Sequence, residues 1–229
     1  YVTGNNGKVK VRLSETVYNT NGGTGALETE DFTLSISGGS ATLGSTNPTA
    51  ITKDTPTFSA ATIDNNLSGA QGLQLADLDF DGDVDIIACG KSGNDLNWYE
   101  SDGSGSYTER SIDLNLSGAQ GLAINDIDGD GDLDIFATAR DGNQVALYTN
   151  NGSQSFTKTV IDSDLSQPHH VECTDLNDDG YMDLIATGRV SDEIIWYSND
   201  GSQNFTENVL RNDLNGAITF FISDVDLSL

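Results

Sequence analysis

The 229 residues carry ten Lys and Arg against 36 Asp and Glu, a formal charge of −26, which argues against nucleic acid or an anionic membrane surface as a partner. Gly, Ser, Thr, Asn and Asp abound while Pro and Met are scarce, the composition of strands joined by many turns. No apolar run of about 18 residues exists, so membrane insertion through a helix is not expected.

The length allows one large all-β domain or one domain plus part of another. Residues 1–56 stand apart from the rest of the chain. Lys8-Val9-Lys10-Val11-Arg12-Leu13 and Asp31-Phe32-Thr33-Leu34-Ser35-Ile36-Ser37 alternate polar and apolar side chains, the period of half-buried strands. The segment is expected to be a small β-sandwich-like piece, too short for a complete sandwich. Lys53-Asp54-Thr55-Pro56 reads as the linker.

From residue 57 a period of 49 takes over. An aromatic recurs at Phe58, Tyr107, Phe156 and Phe205, each opening a short strand. A turn follows at Asn66-Leu67-Ser68-Gly69, again at Asn115-Leu116-Ser117-Gly118, and in variant form at Asp164-Leu165-Ser166-Gln167. Apolar strands at 72–78, 121–127, 170–176 and 219–225 lead into acid-rich loops, and others at 84–88, 133–137 and 182–186 leave them. A further strand carries Trp98-Tyr99, Leu147-Tyr148 or Trp196-Tyr197. Such aromatic pairs suit either a sugar-stacking platform or a core between sheets; a place inside a middle strand favours the core. Four short strands per repeat of this length, without helical periodicity, predict β-propeller blades.

The acid loops carry the chemistry. Asp126-Ile127-Asp128-Gly129-Asp130-Gly131-Asp132-Leu133-Asp134 puts five carboxylates at alternate positions of nine residues. Each like-charge pair about 6 Å apart costs roughly 1–3 kcal/mol, so the loop needs a cation or stays a solvated acidic turn. Oxygen-only ligands including several carboxylates suit Ca2+, which tolerates irregular geometry better than Mg2+. The same pattern stands 49 residues earlier, with Asp77, Asp79, Asp81, Asp83 and Asp85, and 49 later, with Asp175, Asn177, Asp179, Tyr181 and Asp183. Positions 1, 3, 5 and 9 would offer side-chain oxygens, and position 7 (Asp83, Asp132, Tyr181) its backbone carbonyl. About three Ca2+ sites are expected. Asp224-Val225-Asp226 opens a fourth copy, but Ser228 replaces its third acid, so no complete site is assigned there.

These repeats resemble the FG-GAP/VCBS family of calcium-binding propeller blades, found also in the integrin alpha-subunit head. The likeness rests on Asp-x-Asp/Asn-x-Asp-Gly-x-x-Asp between two strands and spans residues 57–229. It implies Ca2+ between the first and second strands of each blade, on one face of the propeller. An EF-hand fits worse, because position 12 is Ala88, Ala137 and Ala186 and the flanks are strands. Residues 1–56 resemble, more distantly, part of a bacterial immunoglobulin-like module. The expected fold is all-β: a partial, open propeller of about three and a half four-stranded blades after that fragment. Fourteen strands fall short of the sixteen or so of a small closed ring. The chain starts without Met and stops inside a repeat, as expected of a piece of a longer protein whose further blades complete the ring.

Cys89 and Cys173 each replace a strand residue at a different repeat position, as isolated core residues do. No nucleophile elbow, phosphate-cradling loop or zinc spacing exists, and no enzyme activity is expected of this region. His169 and His170 stand where the other copies have Gln-Gly, at the start of an innermost strand. They form a candidate ligand face, or sequence drift at a solvent-reached loop. The composite expectation is a calcium-stabilised scaffold of a secreted or cell-surface protein, serving adhesion or the binding of a protein or glycan ligand. A lectin-like or polysaccharide-active propeller is the alternative, and a structural spacer the third.

Overall fold

A computed structural model describes residues 60–223 and the strand pair at 2–5 and 8–11. The chain divides into two compact units, residues 1–60 and 61–229. In the first unit β1 (Val2–Asn5) and β2 (Lys8–Val11) pair antiparallel, with Val2 opposite Val11. The predicted strand at 31–37, the linker and Phe58 lie outside the described residues, and most of the immunoglobulin-like segment lies there with them.

The second unit is three four-stranded antiparallel sheets, each a meander in chain order. The first holds β3 (Ala70–Ala76), β4 (Asp85–Gly90), β5 (Asp95–Ser101) and β6 (Tyr107–Asp113). The second holds β7 (Ala119–Asn125), β8 (Asp134–Ala139), β9 (Gln144–Asn150) and β10 (Phe156–Asp162). The third holds β11 (Pro168–Thr174), β12 (Asp183–Gly188), β13 (Glu193–Asn199) and β14 (Phe205–Arg211). Each sheet is one repeat, and the first strands β3, β7 and β11 pack side by side as the inner strands of consecutive blades. Among the described residues the architecture is an open β-propeller of three complete blades.

The expected extra half blade does not appear among the described residues. Residues 60–63 and 219–223, assigned by the pattern to a leading outer and a trailing inner strand, form no strand. Each would be a lone strand of a blade whose other strands lie outside the described residues, and an unpaired strand has no ladder to hold it. The inner strands also end two residues before the predicted boundary. Leu78, Ile127 and Leu176 give their N–H groups to a carboxylate rather than to the ladder, at 3.0–3.1 Å.

Middle strands are buried on both faces, and alternation splits their side chains between two cores. On β8, Ile135 and Ala137 join Leu78, Ile87, Leu96 and Trp98 of the first blade, while Phe136 joins Leu184, Ala186 and Ile195 of the third. On β9, Tyr148 faces the first junction and Leu147 the second. Trp98, Leu147, Tyr148 and Tyr197 are therefore core between blades, whereas Tyr99 and Trp196 belong to neither junction. Cys89 and Cys173 are free and belong to different junctions. One face of the first blade has no neighbour among the described residues: Leu73 is 58% exposed, while its counterparts Leu122 and Val171 are 5% and 1% exposed.

Two further devices lock the blades in register. A tyrosine on each third strand reaches back to an aspartate before the blade's first strand: Tyr99 to Asp64 and Tyr148 to Asp113 at 2.7 Å, and Tyr197 to Asp162. Burial pushes the Asp113 and Asp162 carboxyls up, but the hydrogen bonds outweigh it and hold both below the usual range. Asp113 receives them from Lys158 and Tyr148, and Asp162 from the Asp164 backbone and Tyr197. At the inner strands, glycine lets backbones meet. A Cβ on Gly72 would stand 2.7 Å from the Gln120 carbonyl oxygen, and one on Gly121 2.6 Å from that of His169.

Gly121→Ala therefore forces β7 and β11 apart and should cost about 1–3 kcal/mol in urea unfolding. Equal stability would mean that the inner strands do not touch as described.

Candidate metal centre

Each acid loop joins the first strand of a blade to its second, and the three loops share one hydrogen-bond pattern. The carboxylate at position 1 (Asp77, Asp126, Asp175) accepts the N–H of the glycine at position 6, at 3.0, 3.1 and 2.8 Å. Position 3 (Asp79, Asp128, Asn177) accepts the N–H of position 5, at 3.3, 3.2 and 3.0 Å. Position 5 (Asp81, Asp130, Asp179) accepts that of position 7, at 2.9 Å in every copy. Such side-chain turns coil the backbone tightly. The glycine at position 6 is needed for its left-handed backbone, with φ of +98°, +95° and +90° at Gly82, Gly131 and Gly180. Position 4 is left-handed as well, and Phe80 (φ 59°) and Asp178 (φ 58°) bear strain that Gly129 avoids.

Position 9 differs from the rest. Asp85, Asp134 and Asp183 are fully buried. One oxygen accepts the N–H of position 2, and the other accepts, at 2.8 Å, the N–H of Ser101, Asn150 or Asn199 at the end of the third strand. The aspartate thus ties the loop, the second strand and the third strand together. Burial pushes the Asp134 carboxyl up to about 6, against the lowering effect of the Asn150 and Ile127 N–H groups. Burial likewise raises Asp79 and Asp128, with their acidic neighbours adding to it.

In the first loop Asp77, Asp79 and Asp85 bring one oxygen each within 4.8 Å of one another, and in the second Asp126, Asp128 and Asp130 do so. The third loop, with Asn177 at position 3, makes no such triple of acids among the described residues. Its Asn177 instead donates to Asp179 at 2.9 Å. At position 7 the side chains turn aside. Asp83, Asp132 and Tyr181 lie against Gly103, Gly152 and Gly201 of the hairpin between third and fourth strands. Asp224 and Asp226 lie outside the described residues.

A cation fits the first loop on independent grounds. The Asp77 Oδ1 atom is buried without a hydrogen-bond partner, and a buried carboxylate oxygen left so is costly unless a positive charge meets it. The donor set is all oxygen and mostly carboxylate, the chemistry of a hard divalent ion such as Ca2+.

His169 and His170 sit at the other end of the inner strand, where β11 begins. The His170 ring meets Glu172 at 3.0 Å and packs edge-on against Phe220, with centroids 4.9 Å apart. The His169 imidazole is held below its usual range by burial, then by Arg140 and Arg189. Sequence reading missed three contributors: the third-strand N–H donors at Ser101, Asn150 and Asn199, the hairpin glycines, and Gln203, which donates to Asp128 at 2.9 Å. The first two recur every 49 residues, and that recurrence was the available signal. Gln203 recurs once, as Gln154, but its bond to Asp128 crosses to the neighbouring blade, which the repeat does not show.

Removing the position-9 carboxylate strands two buried N–H groups. Asp134→Ala should lower stability by about 2–5 kcal/mol with or without calcium. Asp130→Ala, in an exposed part of the loop, should leave the calcium-free melt within about 0.5 kcal/mol. A raised carboxyl in the folded state favours its protonated form. In calcium-free protein the extra stability that protonation of Asp134 contributes is therefore present below pH ~4 and lost as pH rises through about 6, while its two backbone hydrogen bonds remain. Carbon-detected NMR titration should find that midpoint near 6, and calcium should move it down.

The model of the FG-GAP-like repeat matches residues 77–137 and 126–186. Among solved structures, virginiamycin B lyase from Staphylococcus aureus is 19% identical, with a TM-score of 0.44 over 66% of this chain and 44% of that one. A streptogramin B lyase structure is 20% identical, with a TM-score of 0.43 over 64% and 42%. The chain thus spans less than half the length of either. No curated protein matches it. With the acid loop, its flanking strands and the family match falling together, residues 77–186 belong to the FG-GAP-like repeat family.

Proposed function

We propose that the region is a calcium-binding propeller scaffold of a secreted or cell-surface protein, serving adhesion or ligand binding. The observation that carries this reading is the acid loop itself, repeated in three blades with one coiled backbone, and in the first blade leaving a buried Asp77 oxygen without a partner. Ca2+ there would neutralise carboxylates that otherwise repel, and would stiffen the link from the first to the second strand. Through the position-9 aspartate that stiffness passes to the third strand. The remaining loops are then displayed from a fixed frame.

Sites of modest affinity fill only where the ion is millimolar, which favours an extracellular setting. No helix among the described residues is long and apolar enough to cross a membrane. The face of the first blade beside Leu73, open among the described residues, suits a further blade of the same protein as partner. In this reading the region binds and does not catalyse.

For a Kd of ~0.1–1 mM, ~10 mM calcium stabilises by roughly 1.4–2.7 kcal/mol per site. Chelation should therefore lower the melting temperature by several degrees, and calorimetric titration should register uptake that Asp130→Ala reduces by one site. An unchanged melt in chelator, with no heat of binding, would falsify the calcium reading.

A further inference from the structure

Among residues 60–223, half of the few cations stand at one repeat position. Residues 60–223 contain six: Lys91, Arg110, Arg140, Lys158, Arg189 and Arg211. Four of these pair with nearby acids, Arg110 with Glu100, Arg140 with Asp141, Lys158 with Asp113 and Arg211 with Asp213. Three of the six, Lys91, Arg140 and Arg189, occupy a single repeat position 49 residues apart. Each comes directly after the second strand of its blade and bonds through its backbone N–H to the turn before the first strand, at 2.9, 2.9 and 3.0 Å. First and second strands are antiparallel, with Ala70 opposite Gly90 and Ala76 opposite Asp85. The basic positions therefore mark the end of the blades away from the acid loops.

At the junction of the second and third blades two of these charges converge. Arg140 Nη2 donates to Gln167 Oε1 at 3.1 Å, and Arg189 Nη1 donates to the same oxygen at 3.3 Å. Two guanidinium groups thus share one neutral acceptor. Arg140 has one further partner, Asp141 at 3.1 Å, and Arg189 has no acidic partner among the described residues. An uncharged amide oxygen between two like charges relieves little of their repulsion, whereas a carboxylate there would relieve most of it. Gln167 is also where the repeat breaks. The other blades have Gly69 and Gly118 at this position, with φ of +71° and +70°, and Gln167 adopts the same left-handed conformation at φ 51° despite its side chain. Backbone strain of this kind persists where surrounding structure holds it, and it concentrates at functional sites. The break runs on through Pro168, His169 and His170, and His169 lies within the field of both arginines.

We propose that Arg140, Arg189 and Gln167 form a recognition site for a small ligand bearing a single carboxylate, beside His169 at the end of the blades opposite the acid loops. The fork of a guanidinium matches the two oxygens of a carboxylate, and Gln167 swings aside to give up its place. A formal charge of −26 repels polyanions, so the preferred ligand carries one negative charge on an otherwise neutral body. This names the ligand class for the binding scaffold proposed above, on which it rests for its role. Calcium uptake and carboxylate binding read opposite ends of the same strands, so one fails without the other.

The test tracks the Nε–Hε signals of Arg140 and Arg189 by NMR in the whole chain with calcium present. Sodium glucuronate and N-acetylglycine are the probes for a sugar acid and a peptide carboxylate, with glucose as the neutral control. Saturable shifts of both signals with either carboxylate, and none with glucose, support the site, and the tighter probe identifies the source. Gln167→Glu supplies the carboxylate internally; it should raise the melting temperature and weaken the preferred probe by at least about tenfold. No saturable shift with either carboxylate would overturn the proposal. So would a lower melting temperature in Gln167→Glu, equal binding in an Arg140→Gln/Arg189→Gln double variant, or tighter binding of inorganic sulfate.

Discussion

A buried carboxylate at the ninth position of each acid loop is the interaction on which the blade depends. Asp85, Asp134 and Asp183 have no solvent contact, and each accepts backbone N–H groups from two distant segments, the loop entrance and the end of the third strand. A charge taken out of water needs hydrogen bonds or a counter-ion. Here two N–H dipoles supply part of the compensation and a cation in the loop would supply the remainder. The same group therefore joins local architecture to ion binding: what fixes the loop also fixes the hairpin after it.

Between blades the governing constraint is contact on both faces of a thin sheet. Alternate residues of β8 and β9 serve opposite junctions, so the middle blade has no solvent face along those strands. Glycine at 72 and 121 brings the inner backbones together, and the tyrosine-to-aspartate bonds set the register further out. Where no neighbour stands among the described residues, as beside Leu73, apolar surface remains in water. The repeat is thus built to be covered on both faces.

The two ends of the strands carry opposite chemistry. At one end stand the carboxylate loops; at the other, a basic residue follows the second strand of each blade, and Gln71 at the start of an inner strand accepts from Gln120 at 2.8 Å. The antiparallel meander produces this polarity automatically. Loops between first and second strands all emerge at one end, and the turns after the second strand all emerge at the other.

The period of 49, the acid loop and the alternation of apolar residues are local, repeated signals, and from them strand number per repeat, blade class and the place of each acid loop between two strands were legible in the residues alone. Strand ends were less so: the inner strands stop early because an aspartate seven residues on captures the next N–H, a competition invisible to periodicity. The half blade was read from the same pattern, yet a strand needs a partner that pattern does not supply. Tertiary structure alone decided which residues meet across a junction, among them Tyr148 with Asp113, Gln203 with Asp128, and Arg140 with Gln167. Those contacts join residues 27 to 75 positions apart, and their geometry is set by how one sheet is rotated onto the next, which no stretch of sequence encodes by itself.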